Sequence, residues 1–342
     1  MTELDAQSTT KTPRLALLLI FVAISAWMIG ALYTWFLDPE MKFWTQAAMQ
    51  KLAWVEEARV KHGYVIGVVG GSTTTFGIDA EHIEREHGLP VANLGLHVGM
   101  GPETLVGFGL SSLRKGDTLV LSLEPSILTE EYPETSKLGS KLSLILGRPE
   151  MLEWDQQVQA LPILKALAAL PPSGYHVMTI LGKIAMRLPL YRYSIENLRP
   201  GGLQVTAERR NFAAGMDFSS PEKVPPLSEH GVQLLRNTQS AADEKGINLI
   251  YVFPWSYWPQ ESAARRRTAN AGLLDSIEKH VQVLIEPLIG VHSEKTDFSD
   301  SGQHLRATAA RVRSMQFADR LKLHRHSGSM GEMHPNEQKT RP

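Results

Sequence analysis

One uninterrupted apolar run near the N-terminus constrains the fold of this chain more than any other feature. Residues 15–36, LALLLIFVAISAWMIGALYTWF, carry no charged side chain over 22 positions. As a helix the run would be about 33 Å long, enough to cross a hydrocarbon core of roughly 30 Å. We therefore predict a transmembrane anchor at residues 15–36.

The flanks of this run predict its orientation. Lys11 and Arg14 precede it, while Tyr33 and Trp35 lie near its other end, where aromatic rings sit among lipid headgroups. Basic residues favour the cytoplasmic side of a span. We therefore expect residues 1–14 to be cytoplasmic and the bulk of the chain to be extracytoplasmic, which means periplasmic if the membrane is a bacterial inner membrane.

A cleaved signal peptide is the alternative to an anchor. Its apolar region is about 7 to 15 residues long and ends in a small-x-small site. Here the apolar run is longer, and Leu-Asp-Pro-Glu follows it. The sequence therefore favours an uncleaved anchor.

The composition narrows the class of partner. The chain has no cysteine, so no disulfide can mispair in an oxidising compartment. Its 35 Lys and Arg are balanced by 36 Asp and Glu, which does not favour nucleic acid as a partner.

Beyond the anchor, short apolar runs alternate with segments of helical periodicity. This alternation is typical of an α/β fold with a parallel sheet and helices on both faces. The predicted strands cover residues 64–70, 90–95, 117–123, 248–253 and 281–285. The predicted helices cover residues 102–113, 231–245, 261–279 and 306–321.

Changes in pattern divide the chain further. Residues 43–62 predict a juxtamembrane helix, and residues 63–323 an α/β domain. The alternation lapses over 125–226, which we interpret as an insertion that forms either a cap over the site or a docking surface, with helical patches at 151–170 and 177–188. The polar residues 324–342 predict a disordered tail.

The stretch VVGGSTTTFG at 68–77 places a hydroxyl directly after a strand and a Gly-Gly turn. This pattern resembles the SGNH (GDSL-like) hydrolase superfamily, whose nucleophilic serine occupies such a turn. The resemblance implies a flavodoxin-like three-layer fold with Ser72 as the nucleophile and the Ser72 amide as one oxyanion donor. Ligands of open α/β sheets bind at that edge of the sheet.

A serine hydroxyl needs a base, and the base needs a carboxylate to orient it. The stretch DFSDSGQHL at 297–305 resembles the last motif of the same superfamily, which assigns Asp300 and His304 to these roles. Four positions lead from Asp300 to His304, where the usual motif has three. Asp297 is the alternative partner if the loop does not absorb the extra residue.

The two middle motifs match less completely. VANLGL at 91–96 resembles the second block, which implies that the Gly95 amide lines the oxyanion hole. The third block would normally contain an asparagine donor, but this chain has LSLEP, with Glu124 near that place.

Each of these residues also has a purely structural interpretation. Gly-Gly-Ser-Thr after a strand can be a helix cap, and an Asp-x-x-x-His pair can be a cap beside a surface histidine. His82, His87 and His97 lack the spacing of a metal site, and the arginines at 265–267 suit a solvated helix face. The glycines at 67, 70 and 71 do not form a dinucleotide fingerprint, so we expect no cofactor and no metal.

The resemblance implies an acyl transferase or esterase that acts on O-acetyl groups of an exported or cell-envelope polysaccharide. Anchored proteins of this kind work with a multi-spanning membrane acyltransferase partner. An esterase of small acyl esters is one rival. A non-catalytic SGNH-like subunit that binds glycan or docks on a membrane complex is the other.

Overall fold

The computed structural model describes residues 11–131, 136–154, 162–205 and 224–331. Its N-terminal apolar run forms one helix, α1 (Lys11–Phe36). The part from Arg14 to Phe36 is long and apolar enough to span a membrane, and its first half exposes nearly every side chain. The expectation of one N-terminal apolar helix of spanning length is confirmed.

The second helix, α2 (Pro39–His62), begins four residues earlier than predicted. Asp38 explains this start, because its Oδ1 accepts hydrogen bonds from the amides of Glu40 and Met41 at 3.0 and 3.3 Å. The helix ends at Gly63, whose φ of 80° is left-handed. Its apolar side is buried, so α2 belongs to the folded domain.

The strands of the described residues form one large and one small parallel sheet. They are β1 (Ile66–Gly70), β2 (Val91–Asn93), β3 (Thr118–Ser122), β4 (Asn248–Val252), β5 (Ser256–Tyr257), β6 (Gln282–Leu284) and β7 (Val291–His292). The large sheet has the order β2-β1-β3-β4-β6, and β5 pairs with β7. The predicted parallel α/β sheet of five strands is confirmed, and its order is that of a doubly wound sheet.

The remaining helices alternate with these strands or lie in the insertion. They are α3 (Ser72–Thr75), α4 (Ala80–His87), α5 (Pro102–Ser112), α6 (Pro125–Thr129), α7 (Lys137–Ile145), α8 (Glu150–Glu153), α9 (Pro162–Ala169), α10 (Gly174–Ala185), α11 (Glu229–Lys245), α12 (Gln260–Glu278) and α13 (Ala307–Gly331). Short 3-10 helices cover Val98–Met100, Ile195–Asn197 and Lys295–Asp297.

Two apolar cores cover the two faces of the sheet. Side chains of α2, α5, α11 and α12 pack on one face, and side chains of α4 and α13 pack on the other. Strand β1 shows the division, because Val68 faces the α4–α13 core and Val69 faces the α2–α5 core. The fold thus has three layers. Each buried Val, Leu, Ile or Phe stabilises it by about 1.5–3 kcal/mol.

The C-terminal helix is longer than expected. The polar sequence from residue 324 predicts disorder. However, α13 continues to Gly331, so residues 324–331 are helical. No glycine or proline interrupts the chain between Ala307 and Ser327, and each residue added to a formed helix adds a hydrogen bond. The rest of the predicted tail, residues 332–342, and the first ten residues of the chain lie outside the described residues.

Part of the insertion at 125–226 packs into the core of the α/β domain. Leu142 of α7 and Met151 of α8 are buried in the same core as α5. Helix α9 packs against α7, and the Leu167 carbonyl of α9 accepts a hydrogen bond from Trp27 of α1. Residues 132–135, 155–161 and 206–223 of the insertion lie outside the described residues.

Candidate active site

The register of the central strands brings the ends of β1 and β3 together. Gly70 lies opposite Ser122, so Ser72 and Glu124 follow side by side at the carboxyl edge of the sheet. The two glycines are required by this close approach. A Cβ on Gly70 would lie 2.2 Å from the Ser122 carbonyl oxygen, and a Cβ on Gly71 would lie 2.3 Å from Glu124 Oε1.

Glu124 holds the Gly-Gly-Ser-Thr turn. Its carboxylate accepts hydrogen bonds from the Gly71 amide at 3.2 Å, the Thr73 amide at 3.4 Å and the Thr73 hydroxyl at 2.7 Å. The residue is buried, and burial raises the pKa of Glu124 although these hydrogen bonds oppose the change. Glu124 therefore positions the turn from the place where the resemblance expects an asparagine donor.

A buried arginine lies on the other side of this carboxylate. Arg313 of α13 is fully buried and donates to Ser122 Oγ at 3.4 Å and to the Phe253 carbonyl at 3.2 Å. Burial lowers the pKa of Arg313, but the negative charges of Glu286 and Glu124 counteract this effect. The arginine thus supplies positive charge beneath the turn.

Asn93, at the end of β2, connects the second motif to α3. Its Nδ2 donates to the carbonyls of Thr74 at 2.9 Å and Ile78 at 2.8 Å, and its Oδ1 accepts from the Gly95 amide at 3.0 Å. Gly95 packs directly on α3, because a Cβ there would lie 2.5 Å from the Thr75 nitrogen. The oxyanion role of Gly95 stays a prediction, and it requires this amide to leave Asn93.

Asn93 is itself held by a lysine that the sequence did not single out. Lys51 of α2 is buried, and its ammonium donates to the Asn93 carbonyl at 2.8 Å and to the Gly202 carbonyl at 2.6 Å. Burial lowers the pKa of Lys51 to about 7. Helix α2 and the insertion therefore meet at the second motif.

His304 and Asp300 form the pair that the last motif predicts. His304 Nδ1 lies 2.7 Å from Asp300 Oδ1. The loop absorbs the extra residue because its ends are tied together: the Ser299 amide donates to the His304 carbonyl at 2.8 Å, and Phe298 bridges to Leu305. Asp297 does not face this loop's histidine.

The alternative partner has a different histidine. Asp297 Oδ2 lies 2.6 Å from His292 Nε2, and His292 stacks on Trp255 with a centroid distance of 4.7 Å. The structure thus separates the two aspartates of the motif, and Asp300 is the one that can orient His304.

The insertion adds a third group to the pair. Arg192 Nη2 lies 2.6 Å from Asp300 Oδ2. Burial alone would raise the pKa of Asp300, but the hydrogen bond with His304 and the charges of His304 and Arg192 outweigh it and hold the pKa below its usual value. Asp300 is therefore ionised at neutral pH and can stabilise a protonated His304.

Phe76 brings Ser72 and His304 to one place. The Phe76 amide donates to the Ser72 carbonyl at 2.9 Å, one helical turn away, and the Phe76 ring stacks on the His304 ring at a centroid distance of 4.2 Å. Within the described residues Ser72 Oγ makes no hydrogen bond. The role of Ser72 as nucleophile stays a prediction, since catalytic hydrogen bonds are often formed only when substrate binds.

A second histidine faces the site. His97 Nδ1 accepts a hydrogen bond from the Gly99 amide at 3.0 Å, so the neutral ring carries its proton on Nε2. Burial lowers the pKa of His97, and the charge of His304 lowers it further. His97 is therefore a neutral hydrogen-bond donor near His304, although its sequence context suggested only a structural residue.

An aromatic wall encloses the two histidines. Tyr193 lies 5.3 Å from Phe76 and 5.9 Å from Phe43 between ring centroids, and Trp44 lies 6.0 Å from His97. The wall is contributed by α2 and by the insertion as well as by α3. The insertion thus reaches the site through Tyr193, and its role as a cap or as a docking surface stays a prediction.

A cleft of about 430 Å³ opens beside Thr73. Its lining includes Glu124, Trp258, Arg266 and the 301–303 segment between Asp300 and His304. The Arg266 guanidinium lies 4.1 Å from the centre of the Trp258 ring. The prediction that this arginine belongs to a solvated helix face is therefore wrong. A cleft of this size, with polar and aromatic walls, suits a small ligand.

No group of three or more His, Asp or Glu side chains that could hold a metal ion occurs in the described part of the chain. His87 lies 3.7 Å from Asp319, whereas His97 belongs to the site. The histidines that are close in sequence therefore point to different parts of the molecule.

No protein-family model, curated protein or solved structure matches this chain. Its function must therefore be inferred from the site. The motifs identified Ser72, Asp300 and His304, but Arg192 and Lys51 carried no signal, because each reaches the site from a distant segment without a motif of its own.

Proposed function

We propose that this chain is a membrane-anchored, extracytoplasmic SGNH-like serine acyl (O-acetyl) transferase or esterase. In this proposal Ser72 is the nucleophile, His304 the general base and acid, and Asp300 the residue that orients His304. The substrate is an acyl ester on an exported or cell-envelope polysaccharide at a bacterial inner membrane.

One observation carries the proposal. The ionised Asp300 holds His304 at 2.7 Å, and His304 stacks on Phe76, one turn of α3 after Ser72. These contacts support a site in which the Ser72 hydroxyl, a base and an orienting carboxylate act together at the carboxyl edge of a parallel sheet, where such sheets bind ligands. A cap and a surface histidine would not require this convergence.

The arrangement supports a two-step acyl transfer. Ser72 Oγ attacks the acyl carbonyl carbon while His304 Nε2 takes the hydroxyl proton, and the negatively charged Asp300 stabilises the resulting imidazolium. His304 then returns the proton to the leaving oxygen, which departs as an alcohol and leaves an acyl-serine. Water or a sugar hydroxyl, deprotonated by His304, then attacks this ester. The bond between the acyl carbon and Ser72 Oγ breaks, His304 returns the proton to Ser72 Oγ, and the acid or the acylated sugar is released.

The developing oxyanion needs donors other than the missing asparagine. The Ser72 amide is the first of α3 and therefore has no acceptor within the helix. His97 offers a neutral Nε2–H beside His304. Removing one such donor typically costs about 3–4 kcal/mol in barrier height.

The predicted membrane anchor supports the choice of a polysaccharide as substrate, because it keeps the site close to the membrane. Ser72 is only about 35 residues beyond the end of the span, and Phe43 and Trp44 at the start of α2 form part of the wall of the site. Substrate would thus be met close to the membrane. A growing or exported glycan fits this position better than a freely diffusing ester, and a multi-spanning acyltransferase would be a suitable partner.

The experiment uses the full-length protein in detergent micelles. We expect it to hydrolyse p-nitrophenyl acetate and to be labelled by a fluorophosphonate at Ser72, as read by peptide mass spectrometry. Ser72→Ala and His304→Ala should abolish both signals, whereas Ser111→Ala and His280→Ala should retain them. Activity or labelling that survives Ser72→Ala would refute the assigned nucleophile.

A non-catalytic subunit is the second candidate. It is favoured by the Gly95 amide, which donates to Asn93, and by the absence of a hydrogen bond at Ser72 Oγ among the described residues. In that case neither hydrolysis nor labelling occurs with the intact protein. Binding of an acetylated glycan that is unchanged by Ser72→Ala would then support it.

A further inference from the structure

Helix α10 exposes most of its apolar side chains. A helix on the surface of a water-soluble protein does the opposite. In the described part of the chain none of its residues is fully buried. The side that is partly covered carries the polar His176, Thr179 and Lys183 together with one apolar residue, Ile180, while Met178 and Leu181 on the other side are 68% and 54% exposed. A helix on a soluble surface turns its apolar face inwards. α10 therefore needs an apolar environment outside the protein.

The exposed apolar surface is larger than one or two side chains. It continues through the turn after α10, so that one connected stretch of chain is involved. Monomeric soluble proteins rarely leave such a patch in water. Its exposed large side chains are Tyr175, Val177, Met178, Leu181, Ile184, Met186 and Leu188.

The segment that leads into α10 packs against α1. Trp27 Nε1 donates to the Leu167 carbonyl at 3.2 Å, and a Cβ on Gly30 would lie 2.9 Å from Pro171 Cβ. Ala31 of α1 is buried as well. The C-terminal half of α1 is thus in direct contact with the insertion.

These contacts set a depth. Trp27 lies nine residues before Phe36, about 14 Å along the helix, and Gly30 lies about 9 Å from that end. Half of a hydrocarbon core is roughly 15 Å thick. If α1 spans the bilayer, the end of α9 and the residues up to Pro171 must therefore enter the leaflet on the side of the folded domain.

The composition of this segment fits such a position. Residues 166–182 contain no Asp, Glu, Lys or Arg. At its start His176 Nε2 lies 3.2 Å from Asp38 Oδ2, immediately beyond the span, and at its end Lys183 Nζ donates to the Leu190 carbonyl at 3.0 Å. Polar groups thus occur where α10 meets the headgroup region, and long cationic side chains can reach water from there.

We infer that the segment 162–188 is a second membrane contact, in which α10 lies in the domain-side leaflet beside α1 with its exposed apolar face among lipid chains. The proposal rests on α1 spanning the membrane. Lipid is the occupant because the exposed side chains are apolar, residues 166–182 carry no charge, and the stretch that leads into α10 contacts α1 within the predicted span. A helix with an apolar face and a polar opposite face lies in the interface in this way.

This contact connects the membrane to the site. Only a few residues separate Leu188, at the end of the apolar stretch, from Tyr191 and Arg192. Arg192 pairs with Asp300, and Tyr191 lies 5.3 Å from Phe43 in the aromatic wall. The membrane contact and the anchor together would hold the site at a defined distance from the bilayer.

The absence of cysteine allows a direct test with single-cysteine variants of the full chain. Met178→Cys and Leu181→Cys are labelled with an NBD maleimide and placed in phosphatidylcholine nanodiscs with or without doxyl-labelled lipid. Phe21→Cys, in the predicted span, is the membrane control. Val60→Cys is the water control, because it is 88% exposed and about 32 Å along α2 from Pro39.

We expect blue-shifted emission and quenching by doxyl lipid at positions 178 and 181, as at position 21, and neither at position 60. Quenching at position 21 without quenching at 178 and 181 overturns the proposal. A blue shift at 178 and 181 that doxyl lipid does not quench also overturns it, because a protein surface then covers α10. No quenching at position 21 also overturns the proposal, because α1 then does not span the bilayer.

Discussion

Arg192 Nη2 lies 2.6 Å from Asp300 Oδ2, so a residue of the insertion pairs with the carboxylate that orients His304. The insertion is therefore part of the site. Because the Arg192 side chain is half exposed and Asp300 is buried, solvent screens the pair only in part. A change in the position of the insertion would move Arg192 and so alter the charge around His304.

Asp300→Asn is expected to lower kcat for p-nitrophenyl acetate by on the order of 10³- to 10⁴-fold, because an amide cannot stabilise the imidazolium and favours the wrong tautomer. Asp297→Asn is the matched control, since Asp297 pairs with His292. Steady-state kinetics of both variants in the same detergent provide the measurement. Equal losses in the two variants would exclude a special role for Asp300.

Arg192→Gln is expected to shift the acid limb of the pH profile of kcat/KM to higher pH. The Arg192 charge lies 2.6 Å from Asp300 Oδ2, so its loss removes positive charge beside the Asp300–His304 pair, and the pair as a whole takes up a proton at a higher pH. Arg114→Gln, which removes a surface arginine near Glu56, serves as the control. An unchanged acid limb in Arg192→Gln would show that the pair does not affect catalysis.

Thr73→Val is expected to lower the free energy of unfolding by about 1–3 kcal/mol, because buried Glu124 loses the hydroxyl that donates to it at 2.7 Å. Thr268→Val removes a hydroxyl that donates to its own helix on the surface, and it should change stability much less. Urea unfolding followed by circular dichroism in detergent measures both. A Thr73→Val protein as stable as the control would contradict the role given to Glu124.

Lys51 should make the protein more stable as the pH rises above about 7, up to the normal lysine pKa near 10.4. In this range the unfolded chain keeps a proton on Lys51 that the folded chain has lost, so the free energy of unfolding increases with pH. The slope attributable to this group is at most about 1.4 kcal/mol per pH unit.

The measurement compares urea unfolding at pH 7.5 and pH 9.5. Lys51→Met should reduce the increase between these two values, whereas Lys61→Met, on the exposed surface of α2, should not. An increase that is identical in the wild-type and Lys51→Met proteins would show that Lys51 keeps its proton in the folded state. The hydrogen bonds to Asn93 and Gly202 would then outweigh burial.

Local features could be predicted where a pattern is complete within a few residues. The strands β1, β3 and β4 were identifiable as short β-branched apolar runs between turn residues or helical segments. The Asp300 and His304 pair was also identifiable, since both residues lie in one loop. The extra residue in that loop is accommodated by the Ser299 to His304 hydrogen bond, which no motif could indicate.

Other features depend on segments that are distant in sequence. Arg192 and Asp300 are more than one hundred residues apart, and Lys51 reaches Asn93 and Gly202 only because α2 packs beside β2. Glu124 is a similar case. The sequence places it directly after a predicted strand, but its contact with the Gly-Gly-Ser-Thr turn depends on the pairing of β1 with β3.

The sequence by itself determined the N-terminal apolar helix of spanning length, the parallel α/β sheet and the Asp300–His304 pair, because hydrophobic periodicity and short motifs are local properties. Tertiary structure alone decided which aspartate faces His304, that the Gly95 amide donates to Asn93, and that α10 leaves apolar side chains exposed. These outcomes depend on which distant surfaces exclude water from one another, and burial of that kind is a property of the whole fold.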